Sequence, residues 1–155
     1  MTRIDFYILP DTAGPAENAV TTACRLCDKA TAAGKRVYIC ADTAQAAELD
    51  DALWSLRQGS FIAHERYAGG ALDPPLPAVL VGVAEPPESH HDVLVNLCAD
   101  VPDYFSRFER VLEIVAGDTA QRSAARAHYR FYRDRGYALN TYEQSAGGGW
   151  TQRVK

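Results

Sequence analysis

The chain has 155 residues, 47% hydrophobic and 23% charged, with a formal net charge of −4. That is one ordinary globular domain, which excludes whole-chain disorder, a second domain and a general nucleic-acid coat. No apolar run approaches the roughly 18–20 residues of a membrane span, and Asp5 stands where a secretory signal would be apolar, so a cytoplasmic protein is expected.

The first predicted element is a strand over Arg3–Leu9, β-branched and aromatic, ended by Pro10-Asp11. A helix follows from Ala16 to Ala33 and stops at Gly34, a residue suited to a left-handed exit. Val37–Cys40 is an apolar run of the kind buried in parallel sheets. Asp42-Thr43-Ala44-Gln45 has the form of a capping box and opens a helix with Ala46, Leu49, Leu53 and Leu56 on one face. Ser60–His64 reads as a short strand. The alternation β-α-β-α-β predicts an α/β fold with a mostly parallel sheet.

Glu65–Pro77 reads as a long loop, Ala78–Val83 as a strand, Glu85–His91 as a polar loop and Asp92–Leu97 as a strand. A short helix is expected over Pro102–Phe108 and a strand over Arg110–Val115. Asp118-Thr119-Ala120-Gln121 is a second capping-box pattern, opening a helix that runs to Arg135 and exits at Gly136. Tyr137–Glu143 adds an edge strand. One domain over residues 1–143 is expected, with residues 144–155, which include three consecutive glycines, as a flexible tail.

Catalytic motifs are missing from the sequence. The segment after the first strand, Pro10–Pro15, has one glycine and matches no phosphate-binding pattern, and Asp11 would repel a phosphate. There is no G-x-S-x-G, no H-E-x-x-H and no distinctive carboxylate pair. No catalytic residue, cofactor or metal is therefore assigned. Cys24-x-x-Cys27 has the spacing of a redox or zinc knuckle but falls in an alanine-rich helical pattern; buried reduced thiols are the main reading, metal or redox chemistry the alternative. His90-His91 reads as solvated loop, with a loop metal site as the alternative, and His64 as a core histidine.

The anomaly is the last helix. Residues 120–135 carry Arg122, Arg126, Arg130, Arg133 and Arg135 against one acid, Asp134, a net of +4 in an acidic chain. At about 100° per residue, Arg122, Arg126, Arg130, Arg133 and Tyr129 share a stripe about 100° wide. Ala124, Ala125, His128, Phe131 and Tyr132 fall on the opposite, core-facing side. One reading is a solvated basic face. The other is recognition: arginine favours two-pronged binding of carboxylate or phosphate, and the aromatic within the stripe suits a ligand with an apolar end.

Six segments together resemble one family. They are Phe6-Tyr7-Ile8-Leu9, Gly34-Lys35-Arg36-Val37, Leu49-Asp-Asp-Ala-Leu-Trp54, Ser60-Phe61-x-x-His64, Ala125-Arg126-x-x-Tyr129-Arg130-x-Tyr132-Arg133 and Gly136-Tyr137-x-Leu139-Asn140-Thr141. In order and spacing they are similar to the chi subunits of the bacterial DNA polymerase III holoenzyme, over residues 3 to about 143. The resemblance implies a three-layer α/β/α domain, like mononucleotide-binding folds without the phosphate loop. It implies a non-catalytic accessory subunit that needs no cofactor. Such a subunit joins the clamp loader through a small partner, psi, and binds the acidic, Phe-terminated C-terminal tail of single-stranded DNA-binding protein, touching DNA only indirectly.

The resemblance carries tail binding onto Arg122, Arg126 and Arg130, with Tyr129 among them. Arg133 joins them on the stripe, and Trp54 is expected as a second aromatic wall, or else as partly buried packing. Phe61 and Val115 are expected to face psi, or else to be ordinary core. The alternative function is direct binding of single-stranded nucleic acid by the arginine helix, which the single aromatic on the stripe and the acidic chain disfavour.

Overall fold

The structure is a computed structural model and describes residues 2–10, 19–55, 62–116, 119–145 and 149–153. Among them are β1 (Arg3–Ile8), α1 (Ala19–Ala32), β2 (Val37–Cys40), α2 (Thr43–Ser55), β3 (His64–Arg66), β4 (Val79–Gly82), β5 (Val93–Asn96), β6 (Arg110–Val115), α3 (Thr119–Asp134), β7 (Ala138–Gln144) and β8 (Trp150–Gln152). The strands form one sheet in the order β3-β4-β2-β5-β6-β1-β7-β8. Every pairing is parallel except β7 with β8. The α/β class and mostly parallel sheet expected from the sequence are therefore found.

The strands read as continuous apolar runs because both sheet faces are covered. Their side chains still alternate. Tyr7, Val37, Ile39, Val93, Val95 and Leu112 pack on one side with Ala23, Cys27, Leu49 and Leu53 of α1 and α2. Ile4, Phe6, Tyr38, Leu94, Val111 and Val115 pack on the other with Phe105, Phe108 and Tyr132, the last from α3. This gives three layers, with α1 and α2 on one face and α3 on the other.

The helix ends follow their sequence signals. Asp42 Oδ1 accepts from the Gln45 backbone N–H at 2.8 Å while Gln45 Oε1 accepts from the Asp42 N–H at 3.2 Å, a reciprocal capping box. Gly34 (φ 81°) and Gly136 (φ 80°) take the left-handed conformation. At α1 the Gly34 N–H reaches Thr31 O and the Lys35 N–H reaches Ala30 O; at α3 the Gly136 N–H reaches Arg133 O and the Tyr137 N–H reaches Tyr132 O. Both are Schellman exits, and they close two orphan carbonyls each.

Several expectations need correcting. The strand expected to end at His64 begins there, because the His64 ring is engaged by Ile62 O at 2.7 Å and Asp50 Oδ1 at 2.8 Å before pairing with β4 starts. Phe105–Arg107 close as a single 3₁₀ turn in place of a short helix, the Phe105 N–H reaching back to Pro102 O. The loop histidine His90 is buried, not solvated, with Nε2 2.7 Å from Pro77 O and Nδ1 2.8 Å from Ser89 Oγ. β7 is interior rather than an edge, because residues Trp150–Gln152, expected in a flexible tail, pair beyond it as β8. The Tyr7 ring stacks on Tyr142 at 5.0 Å and meets Trp150 edge-on at 5.1 Å, which is what the strand packs against. Phe61, Leu56, Asp118 and the Asp11–Pro15 part of the loop after β1 lie outside the described residues.

Candidate functional site

The chain leaves β1 for α1 on one face and leaves the adjacent β6 for α3 on the other. Connections that diverge from neighbouring parallel strands open a crevice at their carboxyl ends, where α/β proteins bind ligands. Here the crevice is a groove of about 1020 Å³ between α3 and the ends of β1, β6 and β7.

Arg122, Arg126 and Tyr129 line it from α3, with Ala125 between them. Arg122 is held in place: its Nη2 donates to the Leu9 carbonyl at the end of β1, at 3.2 Å. The Tyr129 ring packs 5.4 Å from that of Phe6 and remains partly exposed, so it forms a wall. Arg126 is exposed and forms no ion pair with another described residue.

Arg130, Arg133 and Trp54 are not brought to this groove. Arg130 and Arg133 are exposed on the outer flank of α3 and do not line it. Arg133 binds Asp134 at 3.2 Å, although Asp134 stands one turn beyond Arg130. Trp54, expected as a second wall of the same site, sits on α2 on the opposite side of the sheet, 59% exposed, with its ring 5.5 Å from that of His64. Val115, expected to face psi or to be core, is buried and lines this groove.

The wall facing α3 comes from residues the sequence reading left to the tail. Gln152 and Arg153 line the groove beside Asn140 and Glu143 of β7. Gln152 Nε2 donates to Asn140 Oδ1 at 3.1 Å, the Arg153 N–H donates to Thr141 O at 2.7 Å, and the Arg153 guanidinium pairs with Glu143. The alternation of Trp150-Thr151-Gln152 after the glycines was the signal available for this strand.

A buried polar cluster seats α3 on the sheet. Glu113 of β6 accepts from Tyr132 Oη at 2.6 Å, from Asn96 Nδ2 at 2.9 Å and from His128 Nδ1 at 2.9 Å. His128 Nε2 donates to Ala99 O at 2.7 Å. With its partners met on this side, α3 presents its arginines to the groove and to solvent. The groove thus offers fixed and free guanidiniums beside an aromatic wall, the chemistry that takes a carboxylate joined to an apolar group.

Fold and site together define an α/β binding domain with a basic, aromatic-walled groove at a strand switch point. The chain belongs to the DNA polymerase III chi subunit family: the description "DNA polymerase III chi subunit, HolC" matches residues 1–140. It is 44% identical over 143 residues to the DNA polymerase III subunit chi of Pseudomonas aeruginosa, covering 92% of this chain and 96% of that one. It is 32% identical over 141 residues to that of Haemophilus influenzae, covering 88% and 93%, and 32% identical over 148 residues to that of Escherichia coli K12, covering 91% and 97%. The chain is thus an accessory subunit of the replicative polymerase.

Proposed function

We propose that the groove between α3 and β8 binds the acidic C-terminal tail of single-stranded DNA-binding protein, and that the subunit links that protein to the clamp loader without catalysis of its own. The observation that carries this reading is the convergence of Arg122, Arg126 and Tyr129 from α3 with Arg153 from the far wall. The terminal carboxylate of the tail pairs with Arg126, its phenyl ring lies against Tyr129, and the preceding acids meet the remaining arginines. The family resemblance supports the same positions. We place the subunit in the cytoplasm; none of the described helices is long and apolar enough to cross a membrane.

The link to psi needs a second surface. We place it around Trp54, the exposed tryptophan on the opposite side of the sheet, carried by α2, whose Leu49 and Leu53 are buried in the core. The Trp54 ring lies against that of His64, 5.5 Å away. An apolar partner bound there leaves the α3 groove open, as a bridging subunit requires.

The test is fluorescence anisotropy with a labelled acidic peptide ending in Phe, the same peptide without that Phe, and an oligothymidylate. Binding of the first, its loss without Phe, and weakening with salt are expected, since exposed charges are screened over roughly 8–10 Å. Tight binding of the oligothymidylate with no binding of the peptide would establish direct nucleic-acid binding instead.

A further inference from the structure

Cys40 ends β2, and Cys98 follows the adjacent parallel strand β5 by two residues, with Cys40 in register with Asn96. The Leu97 N–H continues the ladder to Cys40 O at 2.9 Å. The Cys98 N–H then donates to Asn96 Oδ1 at 3.0 Å, a side-chain turn that returns Cys98 toward β2. Asn96 is itself anchored by Glu113. The two sulfurs end 2.8 Å apart, joined by an S–H···S hydrogen bond, with both thiols free.

This pair sits at a second strand switch point. After β2 the chain passes to α2 on one face; after β5 it passes to the Phe105–Arg107 turn on the other. A cavity of about 490 Å³ opens there, lined by both cysteines together with Asp100, Tyr104 and Arg107. Cys98 is partly exposed, whereas Cys24 and Cys27 are enclosed in the core under α1 and do not line this cavity.

We propose that Cys40 and Cys98 are an oxidisable dithiol, which a peroxide entering this cavity converts reversibly to an intramolecular disulfide. The sulfur of Cys40, hydrogen-bonded by the Cys98 thiol, attacks one peroxide oxygen as the thiolate. The O–O bond breaks, and the departing hydroxide takes the Cys98 proton and leaves as water. Cys40 is now a sulfenic acid and Cys98 a thiolate. The Cys98 sulfur attacks the Cys40 sulfur, the S–S bond forms and the S–O bond breaks. The second hydroxide leaves and takes a proton from solvent. Two thiols are oxidised by two electrons and one peroxide is reduced to two waters. A small dithiol restores both thiols and becomes the cyclic disulfide.

The electrostatics agree with these roles. The Cys98 hydrogen bond holds the Cys40 thiol below its ordinary value despite burial, and the same bond with burial pushes Cys98 up. Such thiolate character beside a resolving thiol is the usual setting of redox-sensitive cysteines. The crosslink would pin the segment after β5 to β2, and Ala99 of that segment holds His128 of α3.

The test treats the full chain with graded hydrogen peroxide, alkylates it after denaturation, and reads intact and peptide masses. Expected is loss of two of the four alkylation sites, a Cys40–Cys98 linked peptide, full recovery with dithiothreitol, and a higher urea midpoint for the oxidised chain. In Cys98→Ser, which leaves the buried Cys40 in place, a dimedone adduct at Cys40 replaces the crosslink. Alkylation of all four thiols after peroxide would overturn the proposal. So would oxidation of Cys98 to the sulfinic acid without a Cys40–Cys98 link, or a crosslink involving Cys24 or Cys27.

Discussion

Glu113 and His128 meet at 2.9 Å between the sheet and α3, and the carboxylate favours the charged ring. His128 Nδ1 faces that carboxylate and Nε2 faces the Ala99 carbonyl, two acceptors that favour the doubly protonated ring. Burial disfavours the charge, but the Glu113 hydrogen bond and charge, with the Ala99 carbonyl, outweigh it and raise the pKa. A raised histidine pKa stabilises the fold fully below the unfolded value, about 6.5, and the stabilisation fades as pH rises through the folded value. The urea midpoint of the parent protein should therefore fall relative to His128→Gln as pH rises above about 6.5. His90, whose pKa burial lowers, acts in the opposite sense, which is why the comparison is with the variant. A difference that does not change with pH would sink this assignment.

Arg110, partly exposed, and Asp5, wholly buried, form a second pair at the other end of β6. Asp5 is wholly enclosed; Arg110 Nε approaches it at 2.5 Å, and Asn140 Nδ2 donates to it at 3.0 Å. One carboxylate thus ties β6, β1 and β7 together. Arg110→Met would leave the aspartate without its closest cation, and breaking a buried pair in this way typically costs about 3–5 kcal/mol. Chemical denaturation should show a loss of that order. A loss below about 1 kcal/mol would mean that Asn140 and Arg3, whose Nε lies 3.4 Å from Asp5, suffice.

Asp42 caps α2 through the Gln45 N–H. Asp42→Ala should destabilise the protein by about 1 kcal/mol, the usual cost of a lost N-cap, and Asp42→Ser should recover most of it. Thermal melts of the three proteins at one pH measure the effect. Equal stability of the alanine and parent proteins would show that α2 is held by its packing alone.

These residues also show what the sequence made legible. The capping box, both glycine exits, the strand alternation and the apolar side of α3 are local patterns, and each carries its own physical signal. The partition of the arginine stripe was not readable, because it depends on which flank of α3 faces the crevice. A helical wheel gives angles within one helix but does not place the neighbouring strand ends. Trp54 was misplaced for the same reason: a wheel puts it at the flank of α2 and leaves unsaid that α2 and α3 lie on opposite sheet faces. Arg153 escaped because three glycines disguised a short strand whose Trp150 packs on Tyr7, far away in the chain.

The groove itself makes the sharpest prediction. Arg126 lies in it one turn from both Arg122 and Arg130, next to Tyr129, and engages no described acid. Arg126→Ala should remove a charge-assisted contact worth about 1.5–3 kcal/mol, weakening the acidic Phe-terminated peptide about ten- to a hundredfold. The fold should persist, because the side chain is exposed and opposite the buried His128 and Tyr132. Arg130→Ala and Arg133→Ala should each cost less, about 1 kcal/mol at most, as expected of exposed charges outside the groove. Trp54→Ala should leave peptide affinity unchanged, since that ring lies across the sheet. Isothermal calorimetry on the five proteins decides the matter. If Arg126→Ala binds the peptide as tightly as the parent while Trp54→Ala loses it, the tail occupies the α2 side and the groove on α3 serves another ligand.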